Sequence, residues 1–171
     1  MKHLSSTKGI IAVTSKKSWQ GVYNHYDSYP SGLGQAIWDK IKWYQQEGMT
    51  LEDAVQTFTS CKIVLIPQGY SKFPDKPFHI SEPERIYTSA TANPILLEWI
   101  YVIDPKTCTM RIMHRVIKQL AEPIPGQIWK QYNAQYVKQG IKWLFRNVVL
   151  WHSQYAKVDF RDASFNVKDP E

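Results

Sequence analysis

Cysteine is scarce: Cys61 and Cys108 are the only two in a chain of 171 residues. There is no CxxC pair and no Cys/His cluster, which argues against a zinc site. A chain of this length needs no disulfide staple, so reduced thiols are the simpler expectation. Long apolar runs are also missing. No stretch approaches the ~18 residues that a membrane-spanning helix requires, and Met1-Lys2-His3-Leu4-Ser5-Ser6 lacks the apolar core of a signal peptide. Lysine and arginine exceed the acidic residues by 21 to 15, for a formal charge of +6, but they never form a run of five. That leaves no dedicated nucleic-acid arm and no polybasic membrane anchor. These absences point to a cytoplasmic protein, away from membranes, with no metal and no cofactor.

What remains is globular. Hydrophobic residues at 43% against charged residues at 21% separate the chain from disordered sequences. Its length suits one domain with a sizeable core. Aromatics are plentiful, with 7 Trp, 10 Tyr and 6 Phe. They serve a core, an interface or stacking surfaces for bases, and core packing is the plain reading. The positive charge favours anionic partners without naming one.

Patterning predicts an α+β fold: an antiparallel sheet from two hairpins, N-terminal and central, with helices packed on it. Residues 9–13 read as a buried strand and 19–26 as its partner, with the polar turn 15–18 between them. Pro30 and the glycines then break the chain. Leu33, Ile37, Ile41 and Tyr44 share one helical face, and Gly48 is a natural stop. Thr50 is placed to cap a second short helix carrying Leu51, Ala54, Val55 and Phe58. Residues 62–66 read as a third strand. The segment 67–83, with four prolines, reads as a long and therefore functionally interesting loop. Residues 95–103 give the strongest strand signal, and 110–116 return as its partner. Val137, Ile141, Leu144, Val148, Trp151 and Tyr155 follow steps of four and three, the pattern of a long amphipathic helix. Lys138, Lys142 and Arg146 fall on another face of it, most simply a solvated one. Residues 1–156 are expected to form one domain, and 157–171 a polar, loosely packed tail.

One run carries chemical content: Tyr23-Asn24-His25-Tyr26-Asp27-Ser28-Tyr29-Pro30-Ser31-Gly32-Leu33-Gly34. It crosses from a strand into a helix, where the first helical N–H groups lack internal partners. Ser31 is the expected N-cap, and Gly32 and Gly34 leave room for an anion or polar ligand to reach the remaining donors. His25 and Asp27 alternate along extended chain, so both face one side as a candidate hydrogen-bonded pair. Asn24 and Tyr29 complete the candidate ligand site. The run is neither a Walker loop nor GxGxxG, and a purely structural turn built from the same residues is an equally good reading. His79 in the loop, His114 on a strand and His152 on the last helix show no metal-ligand spacing.

Thr7-Lys8-Gly9-Ile10-Ile11, the junction run and Glu98-Trp99-Ile100-Tyr101-Val102-Ile103-Asp104 together resemble a group of small uncharacterised phage and bacterial proteins. These share a Thr-Arg-Gly strand, an Asn-His-x-Asp-x-Tyr-Pro-x-Gly-Leu-Gly junction and a Glu-Trp-x-Tyr-Val-Ile-Asp strand. The resemblance covers the first third of the chain and the central strand. It implies a common fold, a phage or mobile-element origin and residence in host cytoplasm, and it carries no settled activity. The N-terminal hairpin is also distantly similar to N-terminal-nucleophile amidohydrolases. Ser6 or Thr7 would be the nucleophile there, once the residues before it were removed to free its amine as base. Three functions stay open: a module binding a small anionic or nucleotide-like ligand, for instance to sequester a signalling nucleotide; a hydrolase using Ser6, Thr7, or His25 with Asp27; and a protein–protein inhibitor. Homo-oligomerisation is also left open.

Overall fold

The computed structural model describes residues 6–16, 18–70, 78–80, 85–94, 96–119 and 147–170. Six strands form one sheet: β1 (Gly9–Ser15), β2 (Ser18–Asn24), β3 (Tyr87–Thr88), β4 (Trp99–Asp104), β5 (Thr109–Gln119) and β6 (Asn147–Asp159). Their order is β3-β2-β1-β4-β5-β6. Both hairpins, β1–β2 and β4–β5, lie in this sheet and are antiparallel. The sheet is mixed, however, because β1 and β4 run parallel, with Ile10 beside Ile100 and Ala12 beside Val102. The expectation of a purely antiparallel sheet is corrected on this point. The cause is readable in composition. Residues 9–12 and 99–103 are buried without interruption, and an apolar run covered on both faces belongs in the centre of a sheet, the usual setting of parallel pairs.

Alternate residues of these strands enter two cores. Ile11, Tyr101, Ile103, Met110 and Ile112 meet two helices, α1 (Gln35–Gln46) and α2 (Leu51–Tyr70), through Ile37, Ile41, Val55 and Phe58. Ile10, Ala12, Trp19, Ile100, Val102 and Met113 pack on the opposite face. The helix face expected around Leu33, Ile37 and Ile41 is buried against the sheet. Thr50 Oγ1 accepts the Asp53 N–H at 3.1 Å, as an N-cap should. A turn of π-helix (Pro30–Gly34) leads directly into α1.

Three expectations are overturned. Residues 62–66 do not form a strand; α2 runs through them to Tyr70. A short apolar run fits a buried helix as well as a strand, and extending a helix already nucleated at Thr50 costs less than starting a new element. Residues 147–155 are not helical. They belong to β6, which pairs with β5 from Asn147 opposite Gln119 to Asp159 opposite Thr109. The dense Val148-Val149-Leu150-Trp151 cluster favours a strand, and the tertiary pairing overrides the helical spacing, so His152 stands on a strand. Val137, Ile141, Leu144, Lys138, Lys142, Arg146 and most of the 67–83 loop lie outside the described residues. Finally, the chain beyond Lys157 does not begin as a loose tail, although most of residues 161–170 are exposed. Phe160 is fully buried, stacked at 5.7 Å on Trp38; Phe165 and Val167 also lie against the core. Among the described residues no helix is long and apolar enough to cross a membrane.

Candidate functional site

The strand-to-helix junction is held first by its buried polar groups. Asn24 closes β2 and is almost wholly buried. Its amide nitrogen donates to the Tyr26 carbonyl at 2.8 Å and to Ser28 Oγ at 3.0 Å. Its amide oxygen accepts the His79 N–H at 2.7 Å. The His25 N–H donates back to the His79 carbonyl at 2.9 Å, so the segment around Phe78-His79-Ile80 closes against the end of β2. Ser28, also buried, gives its hydroxyl to the Asn24 carbonyl at 3.2 Å, and its own carbonyl accepts the Tyr101 hydroxyl at 2.6 Å. Burial pushes the Tyr101 phenol well above its ordinary pKa, so it stays a donor. Asn24 is therefore a keystone of the turn: almost wholly buried, it spends both amide donors and one of its two acceptor positions within the fold.

The glycines are likewise explained by packing. Asp27 takes a left-handed conformation with φ of 51°, which a short polar residue tolerates. Its carbonyl accepts the Leu33 N–H at 2.8 Å. A Cβ on Gly32 would stand 2.2 Å from that carbonyl oxygen, and one on Gly34 would stand 2.8 Å from the Phe165 ring. Close packing by itself therefore accounts for a glycine at both positions.

The helix start still holds an anion, supplied by the chain itself. The Ser31 N–H donates to Asp169 Oδ1 at 2.8 Å, and the Ser31 hydroxyl to Asp169 Oδ2 at 2.5 Å. Ser31 thus acts at the helix start as a two-point carboxylate receptor, on an exposed rim, and not as a side-chain N-cap.

His25 and Asp27 are half-buried but do not bond each other in the way the alternation suggested. His25 Nδ1 lies 3.5 Å from the Tyr23 hydroxyl, and its ring is 4.2 Å from that of Tyr26. Asp27 Oδ1 accepts the Tyr29 hydroxyl at 3.1 Å. Burial first, and then this bond, raise the Tyr29 pKa. His79 completes the group, edge-on to Tyr26 at 5.4 Å. Its Nε2 is shut off from solvent and has no hydrogen-bond partner among the described residues. Burial lowers the His79 pKa, opposed by the charge of Asp27 and reinforced by His25. His79 and Asp169 were not singled out for this site from sequence, because they reach it from 55 and 138 residues away and no local pattern marks them.

Of the candidate nucleophiles, Ser6 is exposed ahead of β1, and the Thr7 carbonyl accepts the Ser28 N–H at 3.3 Å. Among the described residues no group of three or more His, Cys, Asp or Glu is arranged to hold a metal ion. The Cys108 thiol is free and buried, and burial raises its pKa. An apolar cavity of about 70 Å³ lies beside α2, lined by residues including Ile11, Val22, Phe58 and Ile86. A polar groove of about 370 Å³ lies on the opposite face of the sheet. Neither includes a junction residue. No family model, curated protein or solved structure matches the chain.

Proposed function

We propose that the protein is a binding module for a small anionic, nucleotide-like ligand, taken at the junction rim by Ser31 with His25, Asp27, Tyr29 and His79 around it. The observation that carries this reading is the Asp169 carboxylate seated on the Ser31 N–H and hydroxyl. The rim already performs anion recognition, with a backbone donor and a hydroxyl converging at the start of a helix whose dipole favours negative charge. A phosphate carries more charge than the carboxylate and competes with it for the same two donors. Tyr26, Tyr29 and the two imidazoles supply flat surfaces for a base or sugar. A module of this kind sequesters its ligand, and a signalling nucleotide is the cargo we propose.

The test is calorimetric titration with adenosine monophosphate. Asp169→Asn weakens the internal competitor, so the variant should bind roughly 5–10-fold more tightly than the parent, as expected when the binding-competent fraction rises. Ser31→Ala should weaken binding in either background. Equal affinity in parent and Asp169→Asn, or no binding by either, rules the reading out.

A further inference from the structure

We propose a second binding site on the face of the sheet opposite the helices: a groove that takes the phosphate of a small phosphorylated sugar, with Arg111 and Lys157 as its anion-holding pair. The argument begins with strand register. Arg111 on β5 stands directly across from Lys157 on β6, and Val102 of β4 stands across from Arg111 on the other side. Two like charges placed opposite each other on adjacent strands repel. Among the described residues relief is slight: Asp159 feels the charge of Lys157 without pairing with it. Both side chains are exposed and neither forms an ion pair among the described residues. The nearest acidic candidate on β6, Asp159, is engaged by Arg161 at 3.0 Å. It is this contact first, and Lys157 only last, that lowers the Asp159 pKa.

The surroundings suit a polyhydroxylated phosphate ester. The two cations border a groove of about 370 Å³ whose walls also include Thr14, Ser18, Thr109, Gln154 and Asp104. An arginine fork and a lysine ammonium together match a phosphate dianion, the first in bidentate fashion and the second as a point charge. The Thr14 and Ser18 hydroxyls offer both donors and acceptors. Asp104 uses one carboxylate oxygen to accept the Lys106 N–H at 3.0 Å, which leaves the other to accept from a sugar hydroxyl. The volume lies at the small end of ligand sites, the size of one sugar phosphate. The two charges sit in a groove whose described lining holds no further cation, so a single phosphate fits better than a polynucleotide.

This site is independent of the junction and stands whether or not anions bind at Ser31. The test is titration of isotope-labelled protein with ribose 5-phosphate and separately with ribose, followed by amide chemical shifts. Ribose 5-phosphate should give saturable shifts at Thr109, Arg111 and Lys157, and ribose none. Arg111→Gln and Lys157→Gln should each weaken binding about tenfold, in line with the loss of one charge-assisted hydrogen bond, while Asp169→Asn changes nothing at these amides. Both substituted residues are exposed, and unchanged spectra elsewhere confirm the fold. The proposal fails if the groove amides respond equally to ribose, if shifts appear only around Ser31, if both variants bind as the parent does, or if a short oligothymidylate displaces ribose 5-phosphate at far lower concentration.

Discussion

The junction and the groove are both polar, yet they treat their polar atoms in opposite ways. At the junction, Asn24 alone makes three hydrogen bonds through its side chain, the Ser28 carbonyl accepts the Tyr101 hydroxyl, and the Asp27 carbonyl accepts the Leu33 N–H. In the groove, Arg111 and Lys157 face each other with like charge and no ion-pair partner among the described residues. The lesson concerns what marks a binding surface. A run rich in Asn, His, Asp, Ser and Gly looks like a ligand loop, but most of those groups are consumed in closing a turn that a buried backbone requires. A pair of charges that the fold leaves uncompensated is a better sign of something missing, because repulsion without a compensating partner lowers stability.

The largest effect that could break this contrast is expected at Gly32. If the junction is a structural lock, Gly32→Val must force the Asp27 carbonyl away from its bond to the Leu33 N–H, since even a Cβ would meet that oxygen at 2.2 Å. The expected loss is about 3 kcal/mol, the upper end for overpacking a filled site, measured by urea unfolding. A variant as stable as the parent would show that the turn is loose enough to admit a ligand at the backbone, and the two regions would no longer differ in kind.

How much of this was legible beforehand follows from where each constraint comes from. The N-terminal hairpin, the Leu33-Ile37-Ile41 helix face, the Thr50 cap and the β4–β5 hairpin are local features, and periodicity or turn chemistry within a few residues displays them. The parallel pairing of β1 with β4 was hinted at by their uninterrupted apolar runs, but pairing partners are set by tertiary packing. β6 was misread because Val148, Trp151 and Tyr155 satisfy a helical spacing while their residue types prefer a strand, and β5 decided between the two. At the junction, Asn24, Asp27 and Ser31 lie at one turn because they are neighbours in sequence, while the closing contacts from His79 and Asp169 come from distant sequence that carries no signal of its destination. The cross-strand charge pair was invisible for the same reason: it exists only once the β5–β6 register is fixed.

An intermediate effect should appear at His79, whose Nε2 is buried without a hydrogen-bond partner among the described residues. Its pKa in the folded protein is lowered from 6.5, chiefly by burial. Above that value the ring is neutral in both states. As pH falls through it, the unfolded chain binds a proton that the folded state resists, so stability is lost toward acid. Melting temperature should therefore fall between about pH 7 and about pH 5 more steeply in the parent than in His79→Gln. Asp27→Asn should steepen the fall, because Asp27 is the charge that favours protonated His79. Equal slopes in parent and His79→Gln would mean that the ring has a partner in solution, and the junction would then be wholly self-satisfied.

The smallest effect is the most direct test of the groove. If Arg111 and Lys157 repel across the β5–β6 ladder, a double-mutant cycle with Arg111→Gln and Lys157→Gln should return an unfavourable coupling of about 0.2–1 kcal/mol in ligand-free, low-salt buffer. Each single change should leave stability level or slightly raised, because the groove side chains are exposed and little packing is removed. The coupling should shrink as sodium chloride is raised, since exposed charges are screened over about 10 Å at 0.1 M ionic strength. Added ribose 5-phosphate should reverse its sign, because the ligand then holds the two cations together and each is worth more in the presence of the other. A coupling near zero at low salt would mean that the side chains splay apart into water. The juxtaposition on the sheet would then carry no energy, and the contrast with the junction would reduce to one of burial alone.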